Sequence, residues 1–314
     1  MSKPCRIDIR TVEAVGTDLH RPECVVAAPS GDVFVPDWRG GVTRIGADGS
    51  QETWLANAPG IDLRPNGIAL ARDGSFLLAN LGDAGGIWRL RRNGSLEPFL
   101  TEMEGLPVPP ANFVTIDERD RTWISVSTRR VPREQAWRPD FADGFVVLVE
   151  GARARIVADR LHYTNEVRPD PTGTWLYVVE TFGRRLTRFR LNSDGTLGER
   201  QVVVALGHGC FPDGFAFDRG GAIWLTSLIS NRLLRLDDGA VETILEDVNR
   251  EHVERVEDAF LSGQMRREHL GPIPGTTLQQ LTSVAFGGRD GRTVYLGSLH
   301  ATCLYRFRAD VTGA

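Results

Sequence analysis

Lysine is nearly absent from this chain, cysteine is sparse, and no long apolar run interrupts it. The last two scarcities each remove a class of function. No stretch approaches the roughly 20 apolar residues that a membrane-spanning helix needs. The opening residues, Met1-Ser2-Lys3-Pro4-Cys5, lack the apolar core of a secretory signal. The expectation is a cytoplasmic protein with no membrane partner. The four cysteines, Cys5, Cys24, Cys210 and Cys303, lie far apart and form no CxxC pattern, which excludes a zinc ribbon and makes free thiols the default. Basic residues number 37 against 41 acidic, for a formal net charge of -4. With no Lys/Arg run, that balance argues against a nucleic-acid partner, which would favour a basic face. The excess of arginine over lysine reads as genomic composition.

What is present is a repeat. Residues 212–226 read Pro-Asp-Gly-Phe-Ala-Phe-Asp-Arg-Gly-Gly-Ala-Ile-Trp-Leu-Thr, and residues 65–79 read Pro-Asn-Gly-Ile-Ala-Leu-Ala-Arg-Asp-Gly-Ser-Phe-Leu-Leu-Ala. Four further copies open at Pro22-Glu23, Ala111-Asn112, Thr164-Asn165 and Leu281-Thr282. In each, a polar opener leads into a short alternating strand, a Gly/Asp turn and a second strand rich in Ile, Val, Trp and Tyr. The turn falls eight residues after the opener at Gly31, Gly74, Asp120, Gly173 and Gly221, and nine after it at Gly291. A third strand carries an Arg, as in Gly-Ile-Trp-Arg-Leu at 86–90 and Leu-Tyr-Arg-Phe-Arg at 304–308. A fourth follows an Asp-Gly or Asn-Gly turn, a strong hairpin signal.

Four short strands per unit at this period are the signature of a propeller blade. Six copies predict an all-β, six-bladed β-propeller occupying residues 1–314 as a single domain. A β-sandwich gives no reason for six copies of one phrase. Residues 6–15 alternate and are expected to supply the outer strand of the last blade, which removes an open sheet edge. The openers at 23, 66, 112, 165, 213 and 282 are separated by 43, 46, 53, 48 and 69 residues. The last interval is long because of an insertion at 247–280. There Val253, Val256 and Phe260 stand at helical spacing and predict one short amphipathic helix before the last blade.

A propeller brings the same strand of every blade to its axis. The openers Glu23, Asn66, Asn112, Asn165, Asp213 and Thr282 are therefore expected to form a ring of oxygen-bearing side chains at one mouth of the channel. Carboxylate and amide oxygens converging on one point suit a hard divalent cation, which also offsets the repulsion between two acids. With no His or Cys in the ring, the donors favour calcium, magnesium or manganese, and zinc also accepts carboxylates. A single Asn-Gly such as Asn66-Gly67 is an ordinary turn; six polar openers in one register are not.

Pro22-Glu23, Thr164-Asn165, His208-Gly209-Cys210-Phe211-Pro212-Asp213-Gly214 and Thr282-Ser283-Val284-Ala285-Phe286-Gly287-Gly288 resemble the motifs of the SMP-30/gluconolactonase/luciferin-regenerating-enzyme-like family. The resemblance runs from about residue 20 to 308. It implies a six-bladed propeller whose members include calcium- or zinc-dependent sugar lactonases. By position it implies Glu23, Asn165 and Asp213 as metal ligands and Asn112 as a substrate or metal contact. Family members commonly carry an Arg two residues before that Asn, where this chain has Pro110 and follows with Phe113; the departure implies a less polar pocket. The segment 128–140, with Arg129, Arg130, Arg133 and Arg138, interrupts the third blade and is a candidate specificity loop.

The expected function is metal-dependent hydrolysis of a cyclic ester of a small metabolite. Asp213 is the candidate general base as well as a ligand. Asn66, Asn112, Phe113 and Arg129 are candidate substrate contacts, and the four arginines of the 128–140 segment are candidates to bind a substrate carboxylate. One divalent ion, calcium first, is the expected cofactor, and the expected assembly is a monomer or small homo-oligomer. His208, close to Asp213, reads as hydrogen-bonded and not catalytic. The competing readings are a phosphotriesterase-like hydrolase, a hydration, isomerisation or ring-forming enzyme on an apolar metabolite, and a calcium-binding propeller without catalysis.

Overall fold

The computed structural model describes residues 6–314. Cys5 and the opening residues read above for a secretory signal lie outside the described residues. Six four-stranded sheets form the six blades of a propeller. Among the described residues the one α-helix is Arg250–Leu261 (α1), immediately before the last blade. The repeat was therefore read correctly, and its turns explain why. All six predicted turn positions adopt positive φ, from 63° at Asp120 to 90° at Gly31 and Gly221. Five are glycines, which reach that region without a Cβ penalty. The sixth is Asp120, one of the few side chains that tolerate it. Beside two of these turns an Asp ties the hairpin to its second strand. Asp117 accepts from the Trp123 indole at 2.9 Å, and Asp218 from Trp224 at 3.1 Å.

The described residues divide into two compact units. One holds the chain up to Val35, Thr43–Glu52 and Leu206–Ala314; the other holds Pro36–Val42 and Thr53–Ala205. The first sheet, from Val26–Ala27 to Gln51–Leu55, contributes residues to both. The unit that contains both ends of the described chain holds the fifth blade, whose inner strand is Pro212–Phe217, and the sixth, whose inner strand is Leu281–Gly287. The other holds the second, third and fourth blades, with inner strands Pro65–Leu70, Phe113–Ile116 and Thr164–Pro169. Second strands such as Phe76–Asn80, Thr122–Val126 and Ile223–Ser227 are buried along their whole length. They therefore read as nearly continuous apolar runs.

The sixth sheet is completed by Glu13–Val15, paired antiparallel with Leu304–Arg308. This strand is shorter than the alternation at 6–15 predicts. Asp8 caps a 3-10 turn over Ile9–Thr11 by accepting from the Arg10 amide at 3.0 Å, so local side-chain bonding displaces the ladder there.

Helix α1 buries Val253, Val256 and Phe260, as their spacing predicts, and Asn249 caps it by accepting from the His252 amide. Phe260 meets Phe211 edge to face at 5.1 Å. The buried Glu257 carboxylate accepts from the Gly209 amide. The helix thus braces the turn that leads into Asp213. His252 is 3% exposed, and its Nε2 has no hydrogen-bond partner. Burial, then the Arg255 cation, pushes its pKa from 6.5 down to about 4. The imidazole is neutral in the fold and protonated when unfolded between these values, so stability is lost as pH falls through that window. A loss of about 2–3 kcal/mol is expected between pH 7 and pH 4.5. Denaturant unfolding of the wild type and of His252→Leu at both pH values checks this; equal losses in the two proteins would refute it.

Candidate functional site

In four blades the inner strand opens with a β-bulge that holds the polar residue. The register shifts between Pro65 and Ile68, Thr164 and Val167, Pro212 and Phe215, and Leu281 and Val284. The openers Asn66, Asn165, Asp213 and Thr282 lie inside these shifts. A bulge re-aims a side chain out of the strand's alternation, which is how a polar residue stands at the head of an otherwise apolar strand.

In the unit holding the fifth and sixth blades, Glu23 is 7% exposed, Asp213 5% and Thr282 1%. They are stitched by hydroxyls. The Gly214 amide donates to Thr226 Oγ1 at 2.9 Å, Thr226 Oγ1 donates to the Thr282 carbonyl at 2.8 Å, and Thr282 Oγ1 donates to the Glu23 carbonyl at 2.7 Å. Gly297 lets the second strand of the sixth blade pass against this turn, since a Cβ there would stand 2.6 Å from the Glu23 carbonyl oxygen. Arg21, at φ 54°, returns Nε and Nη2 to Glu23 Oε2 at 3.0 and 2.8 Å. His300 feels the charges of both Arg21 and Glu23, and its Nε2 contacts the Leu270 carbonyl at 2.6 Å. Neither Arg21 nor His300 was singled out in the sequence. Arg21, two residues before a predicted ligand, carried a readable signal; His300 carried none. His208 is exposed and lies 3.2 Å from Glu254 of α1. Cys24 is buried and Cys210 and Cys303 are half-buried.

In the unit holding the second to fourth blades, the three openers are amides. Asn66 Nδ2 donates to the Asn112 side-chain oxygen at 2.8 Å and to its carbonyl at 3.0 Å. Asn112 Nδ2 donates to the Thr164 carbonyl at 3.4 Å, and Asn165 Nδ2 to Thr181 Oγ1 at 3.2 Å. Bonding to carbonyl acceptors fixes which end of Asn66 and of Asn112 is nitrogen. Phe113 is 3% exposed and packs beneath Gly67, where a Cβ would stand 2.6 Å from its Cα. The Arg168 guanidinium lies 4.8 Å above its ring. Arg129 is exposed; its guanidinium pairs with Asp159 at 3.0 Å and lies over the Phe145 ring.

As a donor set, Glu23, Asp213 and Asn165 offer oxygen only: two buried carboxylates, and an amide whose nitrogen is turned to Thr181. That chemistry fits a hard divalent cation. Among the described residues no three His, Cys, Asp or Glu side chains form a metal-holding group; the predicted set contains two acids and one amide. Also among the described residues, no helix is long and apolar enough to cross a membrane.

Comparison with known proteins adds the following. The model of the SMP-30/gluconolactonase/LRE-like region matches residues 22–300. A 6-deoxy-6-sulfogluconolactonase of Pseudomonas putida is 29% identical over 236 residues, covering 74% of this chain and 67% of that protein. A gluconolactonase structure from Xanthomonas campestris superposes with a TM-score of 0.69 at 18% identity, covering 100% of this chain and 96% of the other. The calcium-binding protein regucalcin of Agrobacterium tumefaciens gives 0.66 at 17% identity, covering 95% and 93%. The two structural likenesses bear on the fold alone.

Proposed function

Because the chain belongs to the SMP-30/gluconolactonase/LRE-like family, we propose that it is a divalent-metal-dependent hydrolase opening the cyclic ester of a small lactone. Glu23, Asn165 and Asp213 hold the ion. The observation that carries this reading is the pair of buried carboxylates, Glu23 and Asp213, at the heads of inner strands in one compact unit. Burying two acids is costly unless positive charge compensates them. Arg21 supplies one such charge to Glu23, and a divalent ion would add further positive charge beside both acids. The 6-deoxy-6-sulfogluconolactonase relative supports a lactone as substrate, and the oxygen-only donor set makes calcium the first ion to test.

When bound, the ion supplies a charge that polarises the lactone carbonyl and eases deprotonation of water. Asp213 takes the proton of the attacking water, directly or through a second water. Asn112 and Asn66 orient the substrate. The Asn112 side-chain oxygen accepts one hydrogen bond from Asn66 and has a second lone pair for a substrate hydroxyl. The Thr226 and Thr282 hydroxyls keep Glu23 and Asp213 in register.

The test is a panel of gluconolactone, plain aliphatic lactones, aryl esters and a phosphotriester. The purified protein is assayed after chelation and after reloading with calcium, zinc, manganese or magnesium. The expected result is that turnover of at least one lactone disappears on chelation and returns with one of these ions. Metal binding without hydrolysis of any lactone overturns the reading, and turnover of the phosphotriester alone moves the assignment to that bond.

A further inference from the structure

We propose that Arg133 reads an anionic group on the substrate, so that the site selects lactones bearing a sulfonate or carboxylate remote from the bond being opened. This rests on the lactonase reading above and names the substrate class for it. The four arginines of the 128–140 segment differ in what they touch. Arg129 is committed to Asp159, and Arg138 to Asp140. Arg130 is exposed and stacks over Phe141. Arg133 is half-buried, donates through Nη2 to Ser127 Oγ at 3.3 Å, and lies 5.4 Å above the Tyr163 ring. Among the described residues no carboxylate pairs with it.

That is unusual in its own unit. The half-buried Arg89, Arg155, Arg168 and Arg185 each have a carboxylate within 3.5 Å. Arg188, which has none, is satisfied by the Gln201 side-chain oxygen at 2.9 Å and the Tyr177 hydroxyl. A guanidinium carries five N–H donors in a flat fork that matches a carboxylate or sulfonate. Arg133 gives one to Ser127 and rests its flat face on Tyr163, which leaves the edge of the fork for an anion.

Its contacts tie it to the segment that carries Asn165, one of the proposed ligands. Ser127 Oγ, which accepts from Arg133, donates to the Thr164 carbonyl at 2.8 Å, and Thr164 precedes Asn165. Tyr163, beneath the guanidinium, stands two residues before Asn165 at φ 61°. The segment is anchored and not merely draped. Trp137 is 6% exposed, donates its indole N–H to the Tyr163 hydroxyl at 2.8 Å, and packs with Tyr163 around Phe182. A cation held in this way is pre-organised, which lowers the entropic cost of binding an anion.

The experiment compares kcat and KM for gluconolactone, the monolactone of glucaric acid, which carries a carboxylate, and 6-deoxy-6-sulfogluconolactone. It uses the calcium-loaded wild type, Arg133→Met, Arg133→Lys and, as a control within the same loop, Arg138→Ala. The wild type is expected to favour one charged lactone over the neutral one by about tenfold to a hundredfold, the range of a charge-assisted hydrogen bond. Arg133→Met should erase that preference through KM, with a much smaller effect on the neutral substrate. Arg133→Lys should restore part of it, and Arg138→Ala should keep it. Which charged lactone is preferred separates sulfonate from carboxylate. An equal loss on all three substrates, or a wild type indifferent to charge, overturns the proposal. If no lactone is hydrolysed at all, the lactonase reading has failed. Calorimetric titration with 6-deoxy-6-sulfogluconate then judges the anion site alone: binding that weakens tenfold or more in Arg133→Met upholds it, and equal or absent binding overturns it.

Discussion

Replacing Asp213 with alanine is expected to lower kcat/KM for the best lactone by roughly 10³–10⁴-fold, because ligand and general base are removed together. The two roles separate in Asp213→Asn. That variant keeps an oxygen donor of the same shape but cannot take a proton at neutral pH. It should retain metal binding by calorimetry, weakened by about tenfold, while losing nearly all turnover. The fold should survive both changes, because the strand around Asp213 is held by backbone and hydroxyl contacts of its neighbours. The Gly214 amide bonds Thr226, and the Phe211 amide bonds Ser227 Oγ at 3.0 Å. Turnover within tenfold of wild type in Asp213→Ala would remove Asp213 from the mechanism, whatever became of the metal.

The second large effect is on stability. Glu180 has a fully buried side chain and gathers Arg185 at 2.7 Å, Arg200 at 2.9 Å, the Thr187 hydroxyl and the His162 amide at 2.8 Å. Burial alone would raise its pKa. The hydrogen bonds from His162, Arg185 and Thr187 outweigh that and hold it far below the ordinary carboxylate value. Removing the acid strands two guanidinium groups and a hydroxyl, so Glu180→Ala is expected to cost about 3–5 kcal/mol, the range for breaking a buried pair. Glu180→Gln, which keeps the acceptor oxygen, should cost less. Because the folded pKa is depressed, the stabilisation is present above the unfolded value of 4.5 and is lost as pH falls below it. Denaturant unfolding at pH 7 reads the mutational cost, and a series from pH 6 to pH 3 reads its disappearance. A cost under about 1 kcal/mol for Glu180→Ala would mean that the network contributes no net stability. Glu180 also ends the second strand of the fourth blade, next to Thr181, which receives the Asn165 amide. A loss of metal affinity in Glu180→Gln would therefore report that the network also positions Asn165.

Much of this was legible because it repeats. The positive-φ turns at Gly31, Gly74, Asp120, Gly173, Gly221 and Gly291 depend on the residue itself and its immediate neighbours, so six copies announce themselves in the sequence. Helix α1 was readable from Val253, Val256 and Phe260 for the same reason. Asn66 and Asn112 were readable as ring openers, but not the bond that joins them, which spans 46 positions. The segment 128–140 stood out as an interruption, and Arg129 was chosen from it. The structure pairs Arg129 with Asp159 and sets Arg133 over Tyr163 without a carboxylate, a distinction that turns on two residues each 30 positions further along the chain.

By itself the sequence determined the blade count, the place of the helix and the polar residue that opens each inner strand, because turn propensity, alternation and helical spacing are local and are written once per repeat. Only the tertiary structure decided which charges are compensated. It set Arg21 on Glu23, Arg185 and Arg200 on Glu180, and left Arg133 over Tyr163 with its fork open. Those choices depend on which side chains of distant strands meet at hydrogen-bond distance after the apolar strands have packed, and no periodicity in the chain encodes that.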